Sequence, residues 1–184
     1  MLLIGFLLNL IGGLSWLYTP PGPTEGGIVV QDGILTIRGQ VIDPKWKHGS
    51  FEKALGKHNR NHSIVDIYDS TGIMLWTIKE DENPEETEIT EFKVILGFDS
   101  TYTEKWYCSQ VYTGLVMIEG HAMNRETSWN ELQAALPQYK FTNSGHTGWY
   151  DGSYKNIYIF AQFNNSLDHL VYLAIGLDTG DNYD

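Results

Sequence analysis

Asp32-Gly33-Ile34-Leu35-Thr36-Ile37-Arg38-Gly39-Gln40-Val41-Ile42 returns 81 residues later as Thr113-Gly114-Leu115-Val116-Met117-Ile118-Glu119-Gly120-His121-Ala122-Met123. The same spacing, without a gap, sets Phe51-Glu52-Lys53-Ala54-Leu55 against Leu132-Gln133-Ala134-Ala135-Leu136. Further along, Ile67-Tyr68-Asp69 meets Trp149-Tyr150-Asp151, Ile73-Met74-Leu75-Trp76 meets Ile157-Tyr158-Ile159-Phe160, and Phe92 to Gly97 meets Leu170 to Gly176. One matching strand is commonplace; five segments matching in order read as a tandem duplication. The fold expected is α+β, with two related units about a pseudo-twofold axis. Residues 28–104 form the first unit, 105–184 the second, and 1–27 an apolar segment with a Pro-rich linker.

Each unit reads as a β-hairpin, a short helix and a three-stranded antiparallel meander. In the first, Ile28-Val29-Val30 and Ile34 to Ile42 flank Gln31-Asp32-Gly33, and an Asp-Gly step between apolar runs is a strong hairpin signal. Ser50 is the expected N-cap of a helix from Phe51 to Leu55, stopped by Gly56; Ser128 caps its counterpart from Trp129 to Leu136, ended by Pro137. The meander strands are expected at 64–68, 73–78 and 89–98, then at 148–150, 156–163 and 167–177. The tight links are Asp69-Ser70-Thr71-Gly72 and Asp151-Gly152-Ser153-Tyr154.

The formal charge is −11, and both halves share it: 9 basic against 14 acidic residues in 28–108, 3 against 8 in 109–184. That field disfavours nucleic acid, whose affinity comes from Lys and Arg on phosphates, and suits a basic protein partner. A single cysteine, Cys108, allows no intrachain disulfide. Met1 to Tyr18 carries no charged side chain and closes on Trp16 and Tyr18. It reads as a membrane anchor or export signal, which favours an inner-membrane or periplasmic location over a cytoplasmic one. The alternative is a helix buried in the fold or in a partner.

Catalytic chemistry has no motif here. There is no Gly-rich phosphate loop, nucleophile elbow or cofactor fingerprint, so no cofactor and no catalytic residue is expected. His58 and His62 are spaced i, i+4, with Asp66 a third candidate ligand. A helix would bring them together, but Gly56 ends the helix first, and the second copy has Tyr139 and Asn143 at those places. A solvated basic loop is expected, with no metal. Paired Asp69 and Asp151 head turns, where Asp bonds its own backbone.

Two features point instead to a binding surface. The first copy carries an insertion relative to the second, holding Glu80, Asp81, Glu82, Glu85, Glu86 and Glu88, like charge that stability does not require. Trp149, Tyr150 and Tyr154 crowd the second meander, and Trp and Tyr are favoured at protein-binding hot spots. These nine residues are the expected partner-binding set.

Asp32-Gly33-Ile34-Leu35, the Phe51 to Lys57 helix ending in Ala-Leu-Gly-Lys, and Ile67-Tyr68-Asp69 to Gly72-Ile73 together resemble the immunity proteins of bacterial polymorphic and contact-dependent toxin systems. The tandem architecture is also similar to that of beta-lactamase inhibitor proteins, whose two repeats make a concave clamp, although this chain lacks their disulfide cysteines. The resemblance implies a protein without chemistry of its own that neutralises a cognate toxin by stoichiometric binding. The alternative is a membrane-anchored envelope adaptor, with 1–18 as its membrane contact.

Overall fold

A computed structural model describes residues 27–77, 83–98 and 108–178. Met1 to Tyr18 and the carboxylates of Glu80, Asp81 and Glu82 lie outside the described residues. Among the described residues, no helix is long and apolar enough to cross a membrane.

The Asp-Gly signal is met. Strands β1 (Ile28–Gln31) and β2 (Ile34–Ile37) pair antiparallel with Gln31 opposite Ile34. Asp32 (φ 55°) and Gly33 (φ 82°) both take the left-handed backbone of a type I′ turn, whose twist matches the flanking strands. Leu35 and Ile37 are buried while Ile34 is 52% exposed, the alternation a half-buried strand requires. A second left-handed pair, Arg38-Gly39, turns the chain into β3 (Gln40–Val41). In the second half, Glu119-Gly120 makes the same turn between β8 (Val116–Ile118) and β9 (His121–Met123).

Helix α1 (His48–Leu55) buries His48, Phe51, Ala54 and Leu55. It starts earlier than expected. Lys47 is the N-cap and makes no side-chain cap, while Ser50 lies inside the helix and donates to the Lys47 carbonyl at 2.7 Å. Helix α2 (Trp129–Ala135) begins as expected at Ser128, which forms a full capping box with Glu131. The approaches to both helices share an Asx turn: the Lys45 amide donates to Asp43 Oδ1, and the Glu126 amide to Asn124 Oδ1, each at 2.8 Å.

The remaining strands are β4 (Arg60–His62), β5 (Val65–Tyr68), β6 (Ile73–Thr77) and β7 (Ile89–Ile95), then β10 (Thr142–Asn143), β11 (Trp149–Tyr154), β12 (Ile157–Phe163) and β13 (Leu170–Leu177). The meanders therefore have four strands, not three. Arg60–His62 and Thr142–Asn143, polar and without alternation, join as edge strands. Nor is Asp151-Gly152-Ser153-Tyr154 a turn. It is the end of β11, and Lys155-Asn156 carries the chain into β12. Gly152 belongs in the strand because the Tyr139 carbonyl approaches it; a Cβ there would lie 2.5 Å from that oxygen.

Two sheets result, ordered β3-β2-β1-β8-β9 and β10-β11-β12-β13-β7-β6-β5-β4. The larger reads the same outward in both directions from the antiparallel β7·β13 pair. In the smaller, β1 is antiparallel to β2 and parallel to β8. No second strand corresponds to β1 among the described residues, since β1 already occupies the edge that one would fill. The principal core joins both sheets and both helices, with Phe51, Leu75, Phe92, Ile118 and Leu132 among its members. A fully buried ring such as Phe51 or Phe92 (0% exposed) contributes about 1.5–3 kcal/mol relative to exposure. A smaller cluster on the other face of the large sheet gathers Ile67, Met74, Cys108 and Tyr172.

Candidate functional site

Asp66 is the one charged residue of β5, whose four positions are all buried. Strand pairing puts it beside Asn61 of β4 and Leu75 of β6, on the face that receives α1. A carboxylate taken out of water must be matched by donors, and three side chains converge on it. His48, the first residue of α1, places Nε2 2.7 Å from Asp66 Oδ2. Asn61 Nδ2 donates to Oδ1 at 2.8 Å. His58, in the loop after α1, holds Nδ1 3.4 Å from the same oxygen.

Burial opposes ionisation of Asp66, yet the hydrogen bonds from His48 and Asn61 and the nearby His58 outweigh it and hold the carboxyl below its ordinary range. The Asp66 hydrogen bond in turn raises the His48 imidazole above its ordinary range, against the pull of burial. Two buried polar atoms close by, His48 Nδ1 and the Tyr68 hydroxyl, have no hydrogen-bond partner among the described residues. The His58 ring stands edge-on to Tyr68, centroids 6.4 Å apart. A cavity of about 280 Å³ adjoins the cluster, lined by His48, His58, Asn61 and Asp66 together with Thr77, Pro84 and Thr87.

Part of the acidic insertion forms the wall of this cavity. Asn83 caps a 3-10 turn over Pro84–Glu86, and the Ile89 and His48 amides donate to the Trp46 and Thr87 carbonyls. Glu88 pairs with Lys47 at 3.0 Å, and Lys47 also donates to the Glu86 carbonyl. Gly49 lies close under Glu85, where a Cβ would come within 3.2 Å of the Glu85 Cβ. Residues 83–88 are thus seated on the start of α1, with Glu85, Glu86 and Glu88 exposed.

The aromatic candidates are not brought together on one face. Trp149 lies edge-on to Phe160 at 5.6 Å and near His146 at 4.5 Å. Tyr150, its strand neighbour, stacks on Trp129 at 3.6 Å, because adjacent residues of a strand point to opposite sides of the sheet. Tyr154 tilts against Tyr139 beside the Lys155 ammonium. Trp149 instead continues a line of rings across the outer face: Phe160 stacks on Tyr172, and Lys93 lies between Tyr172 and Trp76, 4.4 and 4.3 Å from their centroids.

Of the ligands considered from sequence, His58 and Asp66 meet. His62, one residue beyond Asn61 on β4, lies at a position of the opposite face. His48 was the missed member. Neither aspartate heads its turn by bonding its own backbone: Asp69 takes a two-pronged contact from Arg60 and the Ser109 amide, and Asp151 accepts from the Ser144 hydroxyl within β11.

The profile of DUF7738, a domain of unknown function, matches residues 27–133, more than half of the chain. The chain belongs to the DUF7738 family. The match runs from the start of β1 into α2, so the DUF7738 region contains His48, His58, Asp66 and the acidic insertion and excludes Trp149, Tyr150 and Tyr154. No curated protein and no solved structure matches the chain.

Proposed function

We propose that this DUF7738 protein is a stoichiometric inhibitor of the immunity class, built by tandem duplication about a pseudo-twofold axis, that binds and neutralises a cognate basic toxin. The large sheet's strand order, reading alike from either end, supports the duplication. So do the recurrence of the left-handed turn at Arg38-Gly39 and Glu119-Gly120 and the starts of α1 and α2, 81 residues apart.

One observation carries the binding reading. Residues 83–88 of the acidic insertion are seated on α1 by Lys47 and by backbone hydrogen bonds, while Glu85 and Glu86 stay exposed. Holding like charges together costs the free protein self-repulsion, which a basic partner would relieve and whose field would speed encounter.

The direct test expresses each gene adjacent to this one alone, takes one whose product arrests growth, and co-expresses it with this chain, read as rescue of growth, followed by association kinetics on the purified pair. Glu80→Gln, Asp81→Asn, Glu82→Gln, Glu85→Gln and Glu86→Gln together, with Glu88 kept for Lys47, should slow association about tenfold at low salt and flatten its salt dependence. Failure of the wild-type chain to rescue growth and to bind that product would overturn the reading.

A further inference from the structure

We infer that His48, His58 and Asp66 form a site for one divalent cation of borderline character, zinc(II) foremost, with at least one coordination position open to the cleft beside Pro84 and Thr87. The inference stands independently of the toxin-binding reading. One donor atom from each of the three side chains lies within 4.8 Å of the others. Zinc–nitrogen and zinc–oxygen bonds near 2.1 Å set neighbouring donors about 3.4 Å apart in a tetrahedral site. His58 Nδ1 already stands 3.4 Å from Asp66 Oδ1. His48 Nε2 lies 2.7 Å from the other carboxylate oxygen, Oδ2, a hydrogen-bond contact that has to open for an ion to enter between them. Two imidazoles and one carboxylate suit zinc and its neighbours, whereas calcium and magnesium prefer oxygen alone.

The framework is suited to holding an ion. His48 and Asp66 come from a helix and a strand, and Asn61 fixes the carboxylate by its 2.8 Å hydrogen bond, the outer contact on which metal ligands depend. His58 comes from a loop tied to the sheet by the Asn59 amide on the Ile67 carbonyl. His48 is 8% exposed and belongs to the buried face of α1, so its ring is held in place by packing.

The opposite end of the sheet shows that the fold does not demand polar groups at this place. One cross-strand row reads Asn61, Asp66, Leu75, Phe92, Ile175, Ile159, Gly152. Counted outward from the central Phe92–Ile175 pair, the counterpart of Asp66 is Gly152. The residue opening α2, as His48 opens α1, is Trp129, and Tyr139 follows His58 at the repeat spacing. There the Tyr139 carbonyl and the Phe141 ring fill the space above Gly152, and Trp129 stacks on Tyr150. An aromatic packing satisfies the same architecture, so a His-Asp-His cluster in its stead is a departure that ion binding explains.

The test uses the full chain, stripped with chelator and desalted, then titrated with Zn²⁺ against a chromophoric competitor. Co²⁺ in place of zinc reports coordination number through its visible absorption. One ion per chain is expected, with intense low-coordinate cobalt bands. Asp66→Asn and His58→Ala should each weaken binding at least about 100-fold, beyond the 10- to 100-fold cost of losing an outer-shell contact, while His62→Ala binds as the wild type. Circular dichroism of the stripped variants checks folding. Should Asp66→Asn unfold, His58→Ala, at a partly exposed loop position, carries the test alone. A wild-type chain binding zinc no more tightly than His58→Ala, or a His62→Ala chain that loses the ion, overturns the inference.

Discussion

Replacing Gly72 by Ala should destabilise this protein well beyond the ordinary cost of a side chain in a left-handed turn. Gly72 closes the turn between β5 and β6 at φ 69°, and segment 108–112 is laid directly over it. The Ser109 amide donates to Asp69, the Cys108 thiol to the Ile73 carbonyl, and the Tyr112 amide to the Ile95 carbonyl. A Cβ on residue 72 would lie 2.3 Å from the Tyr112 nitrogen, 2.6 Å from the Val111 carbonyl carbon and 2.9 Å from the Gln110 oxygen. All three are backbone atoms, so no rotamer relieves the overlap. Gly120 provides the reference, with φ 83° and nothing within 4 Å of its would-be Cβ. Gly120→Ala should cost only the left-handed strain, about 1–2 kcal/mol. Gly72→Ala adds an overpacking cost of about 1–3 kcal/mol. At about 2–4 °C per kcal/mol for a chain of this size, Gly72→Ala should melt about 2–12 °C below Gly120→Ala. Differential scanning calorimetry with urea titration reads both. Equal melting temperatures would refute the seating of 108–112 on this turn.

Ser128→Ala should cost about 1 kcal/mol by removing the capping box, and Ser50→Ala clearly less, since Ser50 caps nothing; parallel urea melts compare them. The Arg60 hydrogen bond holds the Asp69 carboxyl below its ordinary range. Its stabilisation is therefore present above about pH 4 and lost as pH falls through the folded value. Asp69→Asn should flatten the acid limb of a stability–pH curve and leave the slope above pH 5 unchanged. Burial pushes the Cys108 thiol up to about 12, so Ellman's reagent at pH 8 should leave the native protein unmodified and titrate one thiol after guanidinium unfolding.

Local chemistry made part of the fold legible. Asp32-Gly33 announced its turn because two left-handed residues are needed there, and Ser128 with Glu131 announced a helix start because the two satisfy each other's backbone donors. What escaped depended on distant partners. Arg60–His62 has no alternation to mark it, and becomes a strand through β5. Asp151-Gly152 has turn composition, yet its glycine makes room for Tyr139 in the middle of a strand edge. The cation cluster was half visible, with His58 and Asp66 near in sequence. His48 joins them only because α1 starts three residues before Phe51 and lies over β5. The remaining signal was Asp66 itself, a lone carboxylate inside the run Ile64-Val65-Asp66-Ile67.

The central β7·β13 pairing has a consequence for any attempt to divide the chain. Each of these strands comes from the end of its own half, and each is the long inner strand of its meander. A fragment ending after β7 would present Ile89–Ile95 as an unpaired edge carrying Phe92 and Val94, normally fully buried. Such an edge recruits whatever strand is nearest, and the nearest is the same strand of another fragment. Expressed alone, either half should therefore pair with copies of itself, as a dimer closed about β7 or β13 or as an open aggregate. Linking both halves in one polypeptide keeps the correct partner at high local concentration and closes that route.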